Sequence, residues 1–369
     1  MWPRLVPRGA ASPAMVWLTP VLAIALTLLA GTLLFAAMGF DPLRALHAFF
    51  VEPVSSAFGI AELAVKTTPL ALIATGLAIG FRANVWNIGA EGQLTLGAIV
   101  GGGVALAFHG EGGGLLVLPS MLVGGILGGM LWAAIPAFLR TRFNASEILT
   151  SLMLVYVAGL LLNFLVHGPW RDPEGFNFPQ SRMFEPEALL PSLLAGTRLH
   201  LGFPLALVAV AAGWFLLART FIGFQVKVLG LTPAAASYAG FDRKRLIWFC
   251  LLVSGGLAGL AGVIEAAGPI GQLTPSISPG YGFTAIIVAF LGRLNPLGIL
   301  AASVLVALSY IGGDSAQITL QLPVAVTGVF QGMLLFFLLA TDVLIRYRIR
   351  WGRPVAGPVA GPAAGEMPS

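Results

Sequence analysis

Three groups of polar residues could do chemistry here, and each is set among apolar neighbours. The first is Asn87-Ile-Gly-Ala-Glu91-Gly-Gln93, where two glycines and three hydrogen-bonding side chains interrupt two apolar runs. Such a break suits a discontinuous segment that lines a solute cavity. It equally suits a tight turn with Glu91 near a helix N-terminus, where the dipole favours a carboxylate. The second group is Glu62 and Lys66, four residues apart in the favourable order, which reads as a neutralised pair on one helix face. The third is scattered: Asn163 near the end of one apolar run, then Glu265, Gln272 and Ser276 after another, with Asp314 and Gln317 opening a later connection. Polar groups at membrane depth are costly, so together they predict a polar vestibule. Asn144-x-x-Glu147 has the spacing of a capping box, which makes Glu147 structural.

The familiar motifs of covalent chemistry are not formed, and no Ser/His or Asp/Asp arrangement stands out. The three lysines, Lys66, Lys227 and Lys244, do not follow glycine, so there is no phosphate-cradling G-x-x-x-x-G-K-[ST] and no route to ATP hydrolysis by that loop. H-E-x-x-H, C-x-x-C and G-x-S-x-G are absent as well. His47, His109, His167 and His200 are too dispersed for a metal site, and the single cysteine, Cys250, cannot form an internal disulfide. The expectation is a chain that is not an enzyme and holds no metal or cofactor itself.

The elements that carry these residues are membrane helices. Apolar residues are 57% of the chain and charged residues 9%, against about 25% charged in soluble domains. The apolar runs are continuous and of helix-spanning length, which argues against an alternating β-barrel. An all-α polytopic protein follows, with about ten spans near 16–38, 62–81, 92–108, 115–139, 147–167, 201–218, 246–267, 282–292, 297–312 and 323–345. The eighth is too short to cross as a straight helix. With both termini cytoplasmic, fifteen basic residues fall inside and four (Arg44, Arg171, Arg182 and Arg198) outside, with Lys66 in a span. Spans two to five and seven to ten then run in opposite senses, which permits an inverted repeat. Gly124/Gly128 and Gly125/Gly129 fit close helix packing.

Two connections stand out. Arg219–Arg245 carries five basic residues, and its middle reads as a short helix capped by Thr232, with Pro233 at its first position and Gly240 closing it. The outer loop 168–200 is the longest connection and reads as a docking surface rather than a solvated linker. Residues 1–353 form the transmembrane domain, and 354–369 is a low-complexity, disordered cytoplasmic tail.

Four stretches, Phe81–Ala98 (FRANVWNIGAEGQLTLGA), Ser146–Leu165, Gly230–Phe241 and Gly280–Ile299, resemble bacterial ABC-transporter permeases importing branched-chain amino acids, simple sugars and nucleosides. The likeness is greatest to nucleoside permeases that work with a BMP-type lipoprotein. It covers nearly the whole chain. One departure is Val155-Tyr156, where relatives often carry asparagine before the tyrosine. The resemblance implies a second, often non-identical permease, two cytoplasmic ATPase subunits that bind ATP and Mg, and an extracytoplasmic substrate-binding lipoprotein, in a bacterial plasma membrane. It also implies that Gly230–Phe241 couples to the ATPase, through Thr232, Pro233, Ala236, Tyr238, Ala239 and Gly240, with Tyr238 as the physical anchor. Asn87, Glu91, Gln93, Asn163, Glu265 and Gln272 are the expected pathway residues. The expected solute is a nucleoside. The alternatives are riboflavin or a simple sugar on the same machinery, an ion-coupled secondary transporter using Glu62, Glu91 and Glu265, or a non-transporting scaffold.

Overall fold

The computed structural model describes residues 2–7, 12–110, 113–323 and 325–352. The tail 354–369, Arg8 and Arg353 lie outside the described residues. The helices are α1 (Pro13–Ala37), α2 (Pro42–Phe50), α3 (Ala57–Arg82), α4 (Ala90–Ala107), α5 (Val117–Phe143), α6 (Glu147–His167), α7 (Gly202–Arg219), α8 (Phe221–Leu231), α9 (Pro233–Tyr238), α10 (Arg243–Glu265), α11 (Tyr281–Leu291), α12 (Pro296–Leu320) and α13 (Ala325–Arg346). Among the described residues, nine helical segments are long and apolar enough to cross a membrane. The short eighth span is α11, whose 11 residues rise about 16 Å, half of a bilayer's hydrocarbon.

The chain divides into two compact units, residues 1–31 with 332–369 and residues 32–331. In the first, an unforeseen two-stranded antiparallel ribbon sets Trp2 opposite Gly352 and Pro7 opposite Tyr347. Thr341 also donates its hydroxyl to the Thr19 carbonyl at 3.2 Å.

In the second unit α3 is the central helix, with every residue from Thr67 to Phe81 buried. Ser56 caps its start by accepting the Gly59 amide at 3.0 Å. Pro69 interrupts its ladder. Thr67 and Thr68, just before it, return their hydroxyls to the carbonyls of Leu63 and Ala64. The packing is reciprocal: α10 lies against α3, α4 and α5, while α3 lies against α10, α11 and α12.

Several local expectations are corrected. Ser146, not Asn144, caps α6 by accepting the Leu149 amide, while Asn144 closes α5 in the left-handed conformation, φ 53°. Asp314 and Gln317 do not open a loop, because α12 continues through them to Leu320. The broken segment after α10 begins with a π-helical turn, Ala266–Ile270.

Glycine decides how closely the central helices approach. A side chain at Gly259 would run into the Gly125 carbonyl oxygen and meet the Gly129 Cα at 2.9 Å; one at Gly255 would meet the Gly129 carbonyl oxygen at 2.6 Å. Without a hydrophobic drive between helices in lipid, such close contact is a main source of association. Gly259→Ala should therefore cost about 1–3 kcal/mol. It should lower the thermal midpoint of the detergent-solubilised protein, whereas Gly159→Ala, with open space around it, should not.

Candidate transport pathway and coupling surface

The break before α4 is built from its backbone outward. Residues 83–89 leave helical geometry after Asn84 adopts φ 57°, so their amides need partners at depth. Glu147 accepts the Trp86 amide at 3.3 Å, and Ser151 accepts that of Ile88 at 3.2 Å. Asn87 bonds to Gln93 in both directions, at 2.7 and 3.0 Å, donates to Ser254 at 2.9 Å and accepts the Gly89 amide at 3.1 Å. Asn87 and Gln93 are each 1% exposed. Both acceptor sites of the Asn87 carbonyl and both of its N–H donors are thus filled by protein.

Glu91 points elsewhere. Its carboxylate accepts the Gly282 amide at 2.6 Å and bonds to the Ser278 side chain, so it sits at the N-terminus of α11, where a helix dipole favours an anion. A side chain at Gly282 would strike the Glu91 backbone. The segment 271–280 therefore reaches in to bring the start of half-length α11 against the start of α4.

A second polar cluster surrounds Tyr281. Lys66 donates to the Tyr281 hydroxyl at 2.8 Å, and that hydroxyl lies 3.5 Å from a carboxylate oxygen of buried Glu265. Glu62 does not pair with Lys66. It takes Arg198 in a fork, Nε at 2.9 Å and Nη2 at 2.5 Å. The expectation of a local Glu62–Lys66 pair is corrected because the guanidinium matches a carboxylate bidentately and an ammonium does not. The Glu62 carboxylate also holds the pKa of Arg198 further above its usual value. One helical turn along α11, Thr284 shares a 2.8 Å bond with the Tyr310 hydroxyl and lies 3.5 Å from the Gln331 carbonyl oxygen. The rings of Tyr281 and Tyr310 meet edge to face at 5.7 Å. Tyr281, Thr284, Tyr310, Gln331 and Arg198 were not anticipated as site residues. The i, i+3 spacing of Tyr281 and Thr284 was the available signal.

The remaining expected residues fall apart from these clusters. Gln272 donates to Gln180 at 3.2 Å, where the outer loop is laced onto 267–273. There Ser181 and Leu273 exchange bonds, the Phe184 amide reaches Gly271 O, and that of Leu190 reaches Ala267 O. Asn163 turns back to the Gly159 carbonyl of its own helix at 2.9 Å. The outer loop is thus fastened along one edge, while Phe176, Phe178 and Met183 are exposed.

The expected coupling surface falls on α9. Pro233 is its first residue and Gly240, at φ 76°, closes it. Thr232 occupies the capping position without a side-chain cap bond, which corrects its expected role. Ala236 is 1% exposed and belongs to the buried cluster that also holds Leu229, Ile247 and Cys250. Tyr238 is 98% exposed and stands beside Ala234, Ala235 and Ala239 on one outward apolar face.

Two measurements check this geometry. Asn87→Leu strands the buried amide of Gln93 and should cost about 1–3 kcal/mol, with Asn87→Leu/Gln93→Leu recovering part of it, in thermal unfolding of the solubilised protein. His200 is 3% exposed and accepts the Gly202 amide through Nδ1 at 3.1 Å. Burial pushes its pKa from 6.5 down to about 4, against a smaller upward pull from Glu62. The unfolded segment therefore takes up the proton first, so its stability falls as pH drops from about 6.5 towards about 4, by roughly 3 kcal/mol in all. Hydrogen exchange of residues 192–201, corrected for intrinsic rate, should quicken at least tenfold between pH 7 and pH 4.5. It should stay flat with His200→Gln.

Residues 59–339 match the family described as branched-chain amino acid transport system, permease component. The glucose ABC transporter permease TsgB13 of Haloferax volcanii is 35% identical over 94% of this chain and 93% of its own. The guanosine ABC transporter permease NupP of Bacillus subtilis is 29% identical, over 89% and 94%. The nucleoside ABC transporter permease NupB of Lactococcus lactis is 30% identical, over 78% and 81%.

Proposed function

We infer what the chain does from one premise: it belongs to the family of branched-chain amino acid transport system permease components. It is a multi-pass membrane protein, a transport subunit rather than an enzyme, and it works in an ABC transporter complex with ATPase partners.

Beyond that premise, the reading is an importer of nucleosides. The observation that carries the coupling half is α9, which presents exposed Tyr238 among small residues in a chain with no nucleotide-binding loop of its own. The ATPase pair seats on this face, and its opening and closing rocks α9. Both termini and α9 then lie on the cytoplasmic side of a bacterial plasma membrane, where the basic residues collect. A second, non-identical permease and a substrate-delivering lipoprotein complete the complex, with ATP and Mg bound by the ATPases.

For the solute, the supporting observation is the chemistry around Tyr281. The charged groups there are engaged: Glu62 with Arg198, Lys66 and Glu265 with Tyr281. Beside them stand the hydroxyls and amide of Thr284, Tyr310 and Gln331, a chemistry that suits a neutral, hydroxyl-rich solute. Glu265 stands against Tyr281 and Glu91 against the start of α11, while Gln272 would act apart from them, at the edge of the outer loop. Asn87 and Gln93 frame the pathway, and Asn163 is a contact on the separate face of α6. A simple sugar is the second reading, favoured by the 35% identity to the glucose permease.

Competition uptake in a deletion strain tests the cargo. Unlabelled nucleosides should suppress labelled guanosine uptake, and ATP depletion should abolish it. Uptake that only glucose or riboflavin competes away would move the assignment, and uptake lost with the ion gradient but not with ATP would remove the ABC reading. Tyr238→Asp and Gly240→Pro should reduce copurifying ATPase at least tenfold without loss of membrane insertion. Normal association in both would show that α9 is not the dock.

A further inference from the structure

We propose that the buried ion pair of Arg140 and Glu147 is the link by which motion of α9 reaches the unwound segment 83–89, and that Glu147 is a positioning residue for transport. The proposal rests on the reading of α9 as the ATPase dock.

Glu147 is the first residue of α6 and is 2% exposed. It is not needed to start the helix, since Ser146 performs the capping. A carboxylate buried without a structural errand is expensive, so its partners are informative. It pairs with Arg140, from the last turn of α5, and accepts the backbone amide of Trp86. One turn further along α6, Ser151 accepts the amide of Ile88. Four residues of helix rise about 6 Å, and two residues of extended chain span about 6.6 Å. The i, i+4 pair on α6 therefore matches alternate amides of the unwound segment and grips it as a strip. The opposite edge of that strip is held by Asn87 on Ser254.

Arg140 faces the other way as well. It lines a cavity of about 30 Å³ together with Pro233, the first residue of α9, and Asn84, Val85, Leu229 and Arg243. Gly230, just before α9, packs directly on the Arg82 carbonyl at the end of α3. A displacement of α9 thus presses on the root of the unwound segment and on Arg140 at once. Arg140 carries it to Glu147, and Glu147 to the Trp86 amide. An uncharged side chain at position 147 would still accept that amide but would no longer be driven by Arg140.

The test uses the permease in complex with the ATPase subunits that copurify with it from native membranes, in proteoliposomes, with guanosine and glucose each as probe. Uptake and ATP hydrolysis are measured in the same vesicles. Glu147→Gln should keep the ATPases bound while uptake per ATP falls at least tenfold, and Arg140→Lys should give an intermediate loss. As a second readout, Asn84→Cys/Pro233→Cys in a Cys250→Ala background should cross-link to an extent that changes with ATP. That change should vanish when Glu147→Gln is added. Uptake per ATP within twofold of the parent, or uptake and hydrolysis falling in proportion with the ATP-dependent cross-link intact, would overturn the link. Tyr238→Asp in the same assay separates the two ideas. If it releases the ATPases while Glu147→Gln stays coupled, only the link fails. If it retains them, the premise about α9 fails.

Discussion

The whole central assembly depends on one constraint: unpaired backbone cannot be left at membrane depth. The chain leaves helical geometry at residues 83–89 and again at 271–280, and each departure has to be satisfied by something else. At the first, the Asn87–Gln93 amide pair, Ser254, Ser151 and Glu147 supply the partners. At the second, Glu91 and Ser278 hold the start of α11, and the outer loop laces onto 267–273. Because Glu91 belongs to α4 and Gly282 to α11, the two departures are joined to each other. A shift at one cannot leave the other where it was.

The same constraint governs the ionisable groups. Five of them, Glu62, Lys66, Arg198, Glu265 and Tyr281, converge from α3, the outer loop, α10 and α11. Lone charges there would be prohibitive, and the cluster is arranged so that each faces an opposite charge or a hydroxyl. Fastening the outer loop through Arg198 to α3 ties the rim to the central helix. Glycine plays the complementary part, since the contacts of Gly255 and Gly259 with α5 let α10 lie close enough to offer Ser254 to the break.

Much of this was legible from residue types alone. Continuous apolar runs located the spans, because a bilayer imposes a length that composition cannot hide. Gly-x-x-x-Gly spacing located the close contacts, and Pro233 with Gly240 located α9, because each of those residues has one backbone use that few others share. The break at 87–93 was visible, but its inner wiring was not. Asn87 and Gln93 could as well have faced a solute, and only their mutual bond decides between the two. Pairings across long sequence distance were out of reach: Glu62 finds Arg198 136 residues away, although Lys66 stood in the favourable local position. The outer loop hid its inner edge for the same reason, as its bonds are made by backbone, which carries no residue signature. Ser146 displaced Asn144 as the cap because α5 ends on Asn144 in the left-handed conformation, and a residue cannot close one helix there and open the next in extended geometry.

The central claim is that α9 and the unwound segment 83–89 move as one device. Peptide-level hydrogen exchange of the membrane-embedded complex, with and without ATP, tests it most directly. The account predicts strong protection of residues 84–89 at rest, and an ATP-dependent loss of protection there that rises in step with the change at residues 230–241. Exchange at 84–89 that stays constant while 230–241 responds to ATP would contradict it.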